Sequence, residues 1–237
     1  MMQFLSSRAA LPLVAIAAAL LGAGATLLVS RHNDGSQIRE YLLANPEILP
    51  EAMQRLQDKQ TGKVIAANRA DILTPVGSAW AGNPNGDVTV VEYLDYNCGY
   101  CRASLPVIDQ LIAAEPNVKV VYHELPILSP ESQTAARYAI VAARQGRYRA
   151  LHAALYAGGP LTDASMDKAL VTAGLDPAKV KEEAKTASVE AAINTNLSLM
   201  RPLGMTGTPS WVIGNRVVSS VMSLEDMRDA VAAARAK

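Results

Sequence analysis

Residues 88–112, VTVVEYLDYNCGYCRASLPVIDQLI, decide how this chain folds. From Val88 to Leu94 the residues are mostly β-branched, aromatic or otherwise apolar, the composition of a buried strand. Asp95, Tyr96 and Asn97 make a short connection, after which Leu105, Ile108, Leu111 and Ile112 recur at helical spacing. Cys98 and Cys101 therefore fall where a strand hands over to a helix, in the first helical turn. The first amides of a helix have no intrahelical partner, and with the helix dipole they favour a negative charge. A cysteine placed there is biased toward the thiolate, the form that attacks disulfides. Two cysteines three apart in one turn can close a bridge with each other. Such a pair passes between dithiol and disulfide through a mixed disulfide with another protein. Cys98, nearer the helix end, is expected to attack, and Cys101, one turn deeper, to resolve.

Other uses of a CxxC pair fit less well. Half of a structural zinc site needs two further ligands. The chain has 2 cysteines and 3 histidines, and His32, His123 and His152 are far apart in sequence, so no metal centre is expected. A purely structural bridge closing so small a loop would constrain the unfolded chain little. Redox chemistry carried by the two sulfurs, with no cofactor, is the reading that remains. Met200, Met205 and Met222 read as core or surface residues rather than copper ligands, and His152 as a packed residue rather than a catalytic one.

A chain of 237 residues can bury one good core plus a small accessory region, and its 50% hydrophobic content excludes a disordered protein. Lys and Arg number 22, as do Asp and Glu, so nothing points to nucleic acid as a partner. Arg8 precedes an apolar run from Ala9 to Val29. That run approaches the thickness of a bilayer's hydrocarbon core, and it exceeds the roughly 7–15 residues of a secretory signal core. Ala23-Gly24-Ala25 has the form of a cleavage site, but the run continues past it, which favours an uncleaved anchor over a cleaved signal. Residues 1–30 thus read as a signal peptide or membrane anchor. The remainder is expected in the periplasm, where one CxxC and no other cysteine suits a redox protein.

Beyond a polar gap at Arg31–Ser36, residues 31–75 read as a helical extension. Ile38, Tyr41 and Leu42 form a short apolar face, and Asn45-Pro46 reads as a new helix start. Ile48, Leu49, Ala52, Met53 and Leu56 form the next stripe, with Pro50 in the first turn. A stripe with no strand beside it must be buried on the main domain or on another subunit. A homo-oligomer through residues 37–73 is the economical solution.

Thr74–Asp87, dense in Pro and Gly, reads as a linker to the catalytic domain. Pro106 falls inside the cysteine helix, and Val118–His123 is the next strand, which calls for a parallel crossover pairing. Ser129-Pro130-Glu131 opens an Ala-rich helix running to about Tyr156. Thr162 and Asp176-Pro177 start further helices, which continue to about Arg201. Gly207-Thr208-Pro209 then breaks the chain, Trp211–Val218 reads as a hairpin with Gly214-Asn215 at its tip, and Ser223–Asp226 caps a final amphipathic helix.

Strand, CGYC at a helix start, strand, helical insertion (about 126–205), Thr-Pro, hairpin and final helix together resemble an α/β thioredoxin fold of the DsbA family over residues 76–237. Pro126-Ile127-Leu128, Leu151-His152 and LGMTGTPSWVIGNRVV strengthen the likeness. With its helical extension the chain is most similar to the ScsC, or suppressor-of-copper-sensitivity, proteins of that family. CGYC followed later by Thr-Pro also occurs in the DsbC disulfide isomerases. Ser219-Ser220 departs from the pattern, since relatives often carry a Gly before the last helix. The resemblance implies a cis Pro209 facing the sulfurs, a Thr208 backbone that holds an extended substrate, and a buried acid at Glu92 relaying protons to Cys101. Gly99 and Tyr100, between the cysteines, are further candidate substrate contacts. It also implies cysteine-containing exported proteins as substrates and a membrane redox partner that resets the pair. Isomerase or reductase in an oligomer is the expected function. A monomeric oxidase and a copper protein using the two thiolates as soft ligands are the alternatives.

Overall fold

The computed structural model describes residues 10–236, which fall into two compact units divided between Arg55 and Leu56. Arg8 and Ala9, where the apolar run begins, lie outside the described residues. The first unit holds helix α1 (Ala10–Ala44) and the beginning of α2 (Ile48–Ala67). α1 runs unbroken through Arg31–Ser36, where a polar gap was expected. Polarity alone does not end a helix, and Gly35 disfavours one by only about 1 kcal/mol. Asn45 does not open α2 as expected. Its side-chain amide and its backbone N–H both donate to the Tyr41 carbonyl, closing α1. Pro50 does lie in the first turn of α2. Among the described residues no helix is long and apolar enough to cross a membrane, so the expected anchor finds no support there.

The second unit is built on a five-stranded sheet of order β1-β3-β2-β4-β5. Its strands are β1 (Trp80–Gly82), β2 (Val88–Leu94), β3 (Val118–Glu124), β4 (Ser210–Ile213) and β5 (Arg216–Val218). β2 and β3 pair in parallel, joined by α4 (Gly99–Ala114), and the other pairs are antiparallel. β1 lies inside the stretch expected to be a linker. Three residues ending on Gly82 carry too little alternation to be read as a strand, and pairing to Val121, Val120 and Lys119 of β3 makes it one. The expected single helix to Tyr156 is two, α5 (Pro130–Arg144) and α6 (Tyr148–Ala157), parted at Gly146, whose φ of +72° favours glycine. α7 (Asp163–Thr172) and α8 (Pro177–Glu183) start on the expected Thr162 and Asp176 caps. α9 (Ala187–Met200) leads to β4, Gly214 (φ +60°) turns the β4–β5 hairpin, and Ser223 and Asp226 form the capping box of α10 (Leu224–Arg235).

The sheet is buried on both faces. Val90 and Leu94 of β2 and Val120 and Tyr122 of β3 face one core, shared with residues of α4, α5, α6 and α10. The alternate residues Val91, Tyr93 and Val121 face a second core with Leu199, Leu203 and Met205. Ile65 of α2 and Ile72 of α3 (Arg69–Leu73) complete this second layer, and Thr61 of α2 donates to the Asn215 carbonyl at 2.8 Å. Residues from Leu56 onward therefore belong to the catalytic unit. Leu49, Met53 and Leu56 stay 51%, 72% and 58% exposed.

Candidate active site

Cys98 is the N-cap of α4 rather than a member of its first turn, and Cys101 is the third residue inside. The cap position leaves the Cys98 backbone extended, so its sulfur turns back over the open helix end. There Sγ accepts from the Cys101 N–H at 3.4 Å. Its other neighbour is the Thr208 carbonyl, which accepts from Sγ at 3.2 Å. The Thr208–Pro209 peptide is cis, and Ser210 continues directly into β4 beside β2. The loop bearing Pro209 is held from behind: the Ser210 and Ser219 hydroxyls lie 2.7 Å apart, and Trp211 Nε1 donates to the Ser220 carbonyl at 3.0 Å. The unusual Ser219-Ser220 pair thus anchors the proline loop.

Gly99 and Tyr100 form the outer surface of the motif. Tyr100 is 69% exposed, and a Cβ added at Gly99 would meet nothing within 4 Å. Cys101 lies beneath, buried and unbridged. Burial, joined by the charges of Glu92 and Cys98, pushes its thiol far up, so Cys101 holds its proton while Cys98 sits at the helix end.

Glu92 is buried on β2 between Tyr122 of β3 and Trp211 of β4. Desolvation first, then the charges of Glu124 and Cys98, push its carboxyl well above the usual carboxylate range. Among the described residues its Oε2 has no hydrogen-bond partner.

Two groups around this site, Glu124 and Asp95, were not singled out from sequence. Glu124, at the end of β3, is a second buried acid on the same sheet face, with its carboxyl pushed up to about 8 by burial. Tyr148 and Tyr96 donate to its Oε1 at 2.9 and 3.2 Å. His152, packed as expected, lies 3.1 Å from the Tyr96 hydroxyl, and burial and Arg149 push it down to about 3. Asp95, read only as part of a connection, is buried and accepts four hydrogen bonds: from the Asn97, Ile127 and Leu128 amides and from the Ser132 hydroxyl. The available signal was Tyr148, His152 and Tyr156 at spacing four, one helix face carrying three polar rings. Met205 and Met222 are buried, and among the described residues no group of three or more His, Cys, Asp or Glu is placed to hold a metal ion.

Residues 89–232 match the family model described as DSBA-like thioredoxin domain, and residues 35–61 match that of the copper resistance protein ScsC N-terminal domain. Among solved structures, a thioredoxin-like oxidoreductase from Silicibacter pomeroyi DSS-3 is 37% identical, with a TM-score of 0.68, covering 72% of this chain and 99% of that one. A linker-deletion mutant of Proteus mirabilis ScsC is 26% identical, with a TM-score of 0.67, covering 84% of this chain and 92% of its own. A periplasmic thioredoxin-like protein from Salmonella enterica serovar Typhimurium is 28% identical, with a TM-score of 0.64, covering 71% and 96%. Among curated proteins, the Na(+)/H(+) antiporter NhaA 3 of Salinispora tropica is 28% identical over 156 residues, 65% of this chain and 24% of that protein. The chain thus spans about a quarter of the length of the curated relatives it matches.

Proposed function

The chain belongs to the DsbA-like thioredoxin family and has a thiol-disulfide oxidoreductase fold, and on that premise we propose that it isomerises or reduces disulfides of exported, cysteine-containing proteins in the periplasm, as an oligomer. The observation that carries the chemistry is the pairing of Cys98 Sγ, at the open helix end and 3.2 Å from the Thr208 carbonyl, with a deeper, protonated Cys101. The Cys98 thiolate attacks one sulfur of a substrate disulfide. A Cys98–substrate bond forms, and the other substrate sulfur leaves as a thiolate and takes up a proton. For reduction, Cys101 gives up its proton and attacks Cys98 Sγ, closing the Cys98–Cys101 bridge and releasing the second substrate thiol. Two electrons then pass to the substrate. For isomerisation, a substrate thiolate displaces Cys98 instead and no electrons are gained or lost. Thr208 and Pro209, with Gly99 and Tyr100, form the surface against which an extended substrate is held, and a membrane redox partner resets the pair.

The exposed stripe of Leu49, Met53 and Leu56, in the segment that matches the ScsC N-terminal domain, supports assembly through copies of itself. Two or more CGYC sites around one client suit shuffling. Cys98→Ser should abolish insulin reduction, whereas Cys101→Ser should accumulate mixed disulfides with client proteins. Light scattering on the soluble portion with and without residues 31–55 reads the assembly, and reactivation of scrambled ribonuclease reads isomerisation. A monomer in both forms removes the oligomer. Equal isomerase activity in an oligomer and a truncated monomer removes the link between the two. The match of residues 35–61 to the N-terminal domain of a copper resistance protein favours one second reading, in which the two thiolates bind copper. Sub-micromolar copper affinity lost in Cys98→Ser, together with no reductase activity, selects it.

A further inference from the structure

Glu124 stands outside the chemistry above, yet it is buried against it. β2 and β3 pair in parallel with Glu92 opposite Tyr122 and Leu94 opposite Glu124, so the two acids are diagonal neighbours on one face of the sheet. Both side chains are buried, at 1% and 3% exposure, and each keeps an Oε2 with no hydrogen-bond partner among the described residues. They differ at the other oxygen. Glu124 Oε1 accepts from the Tyr148 and Tyr96 hydroxyls at 2.9 and 3.2 Å. Two donors on one carboxyl stabilise its charged form, while Glu92 interacts electrostatically with Cys98 and Cys101 instead.

We infer that Glu124 is the proton reservoir of the cysteine pair and acts as a positioning residue through Glu92. This rests on the thiol-disulfide reading above. When a substrate thiolate attacks Cys98 Sγ of the Cys98–Cys101 bridge, the S–S bond breaks and its electron pair stays on Cys101 Sγ. Glu92 gives that sulfur its proton, and Glu124 gives its own proton to Glu92. The negative charge comes to rest on Glu124, between two hydroxyl donors, and Cys101 is left a neutral thiol. When the bridge closes, the same proton travels back. Two neighbouring buried carboxyls cannot both ionise readily, so the environments that separate them assign the roles.

The groups facing Glu124 fit this order. From β2 and the connection after it come Glu92, Asp95 and Tyr96, and from α6 come Tyr148 and Tyr156; Cys101 of α4 interacts with Glu92, and His152 reaches the group through the Tyr96 hydroxyl. Asn196 of α9 donates to the Glu124 backbone carbonyl at 2.9 Å, fixing the strand end. His152 is held neutral, so no buried cation competes for the charge.

The test uses Glu124→Gln, which keeps an acceptor for both tyrosines and cannot release a proton. Infrared titration of the carboxyl C=O bands in the reduced wild-type protein should show one buried carboxyl ionising near pH 8 and a second at higher pH. In Glu124→Gln the first should vanish, and the second, freed of its like-charged neighbour, should move down by about 1 pH unit or more. Reduction of the Cys98–Cys101 bridge by dithiothreitol at pH 7 should slow about 10-fold, below the full contribution of a proton donor in contact, and the rate per dithiothreitol thiolate should lose its inflection near pH 8. Glu92→Gln should leave the Glu124 ionisation in place but remove the same inflection. A Glu92 ionisation that stays where it was, or an unchanged pH profile, overturns the assignment. Tyr148→Phe decides the matter should Glu124→Gln fail to fold. Loss of one donor should raise the Glu124 midpoint, and an unmoved midpoint refutes the proposal. The infrared titration needs no turnover, so a protein that reduces no disulfide defeats the functional reading while the acid pair is still tested.

Discussion

Asp95→Ala removes the acceptor that ties the cysteine loop to the next helix. Asp95 Oδ1 accepts from the Asn97 amide at 2.8 Å and the Ser132 hydroxyl at 2.6 Å, and Oδ2 from the Ile127 and Leu128 amides at 2.8 and 3.0 Å. Ser132 is wholly buried, so its hydroxyl loses its Asp95 partner with no water to replace it and keeps only the Ser129 hydroxyl, 3.2 Å away; Asn97, Ile127 and Leu128 have exposed surface, and their amides recover part of the loss from solvent. The weakened hydroxyl and each of the three amides cost about 1 kcal/mol, for a total of about 4 kcal/mol. For a unit of this size, residues 56–237, that lowers Tm by about 10 °C. Guanidinium unfolding should show a lower midpoint with an unchanged slope. Ser132→Ala alone should cost about 1 kcal/mol, and the double variant less than the sum, because the two substitutions remove the same hydrogen bond. An Asp95→Ala protein within 1 kcal/mol of wild type, or strict additivity in the cycle, would refute the reasoning.

Stability should fall as pH rises through neutrality toward about 8. Glu124, raised to about 8 from 4.5, contributes stability that is complete below the unfolded value and lost as pH rises through about 8. His152, pushed from 6.5 to about 3, works in the other direction: its contribution is present above about 6.5 and lost as pH falls toward 3. Between pH 6.5 and 8 only the acids act, Glu92 with Glu124, so unfolding free energy should drop by about 1.4 kcal/mol per pH unit for each acid that changes its proton binding. Glu124→Gln should remove its share, and equal slopes in the two proteins would contradict the assignment. Removing residues 31–55 should leave the catalytic unit folded, whereas removing 31–75 should not, because it strips Ile65 and Ile72 from the second core. Ile72→Ala alone should cost about 2–5 kcal/mol in denaturant unfolding, and a variant as stable as wild type would show that α3 is dispensable.

What the sequence made legible was local. The strand-to-helix handover at Val88–Ile112, the caps at Thr162, Asp176 and Ser223 and the Gly214-Asn215 turn each rest on residues within a few positions of one another, and each stands where expected. Departures arise where a short segment takes its structure from a distant partner, as β1 does from β3, or where one glycine decides, as Gly146 does between α5 and α6. The α1 helix through Arg31–Ser36 shows the converse, that a polar stretch without a breaker is no boundary.

The buried half of the site was illegible for the same reason. Glu92 could be placed through the family resemblance, but nothing local marks Glu124, which lies just past the strand expected to end at His123. Its meaning depends on a parallel register that sets Glu124 beside Leu94, and on α6 laying Tyr148 and His152 over that strand end. A charged residue at a strand end is ordinarily solvated; here the helical insertion covers it. The insertion therefore does more than enlarge the fold. Through Tyr148 it supplies one of the two hydroxyl donors that make Glu124 the better place for a negative charge, the other being Tyr96 of the β2–α4 connection. Without Tyr148 the difference between the two buried acids would rest on Tyr96 alone.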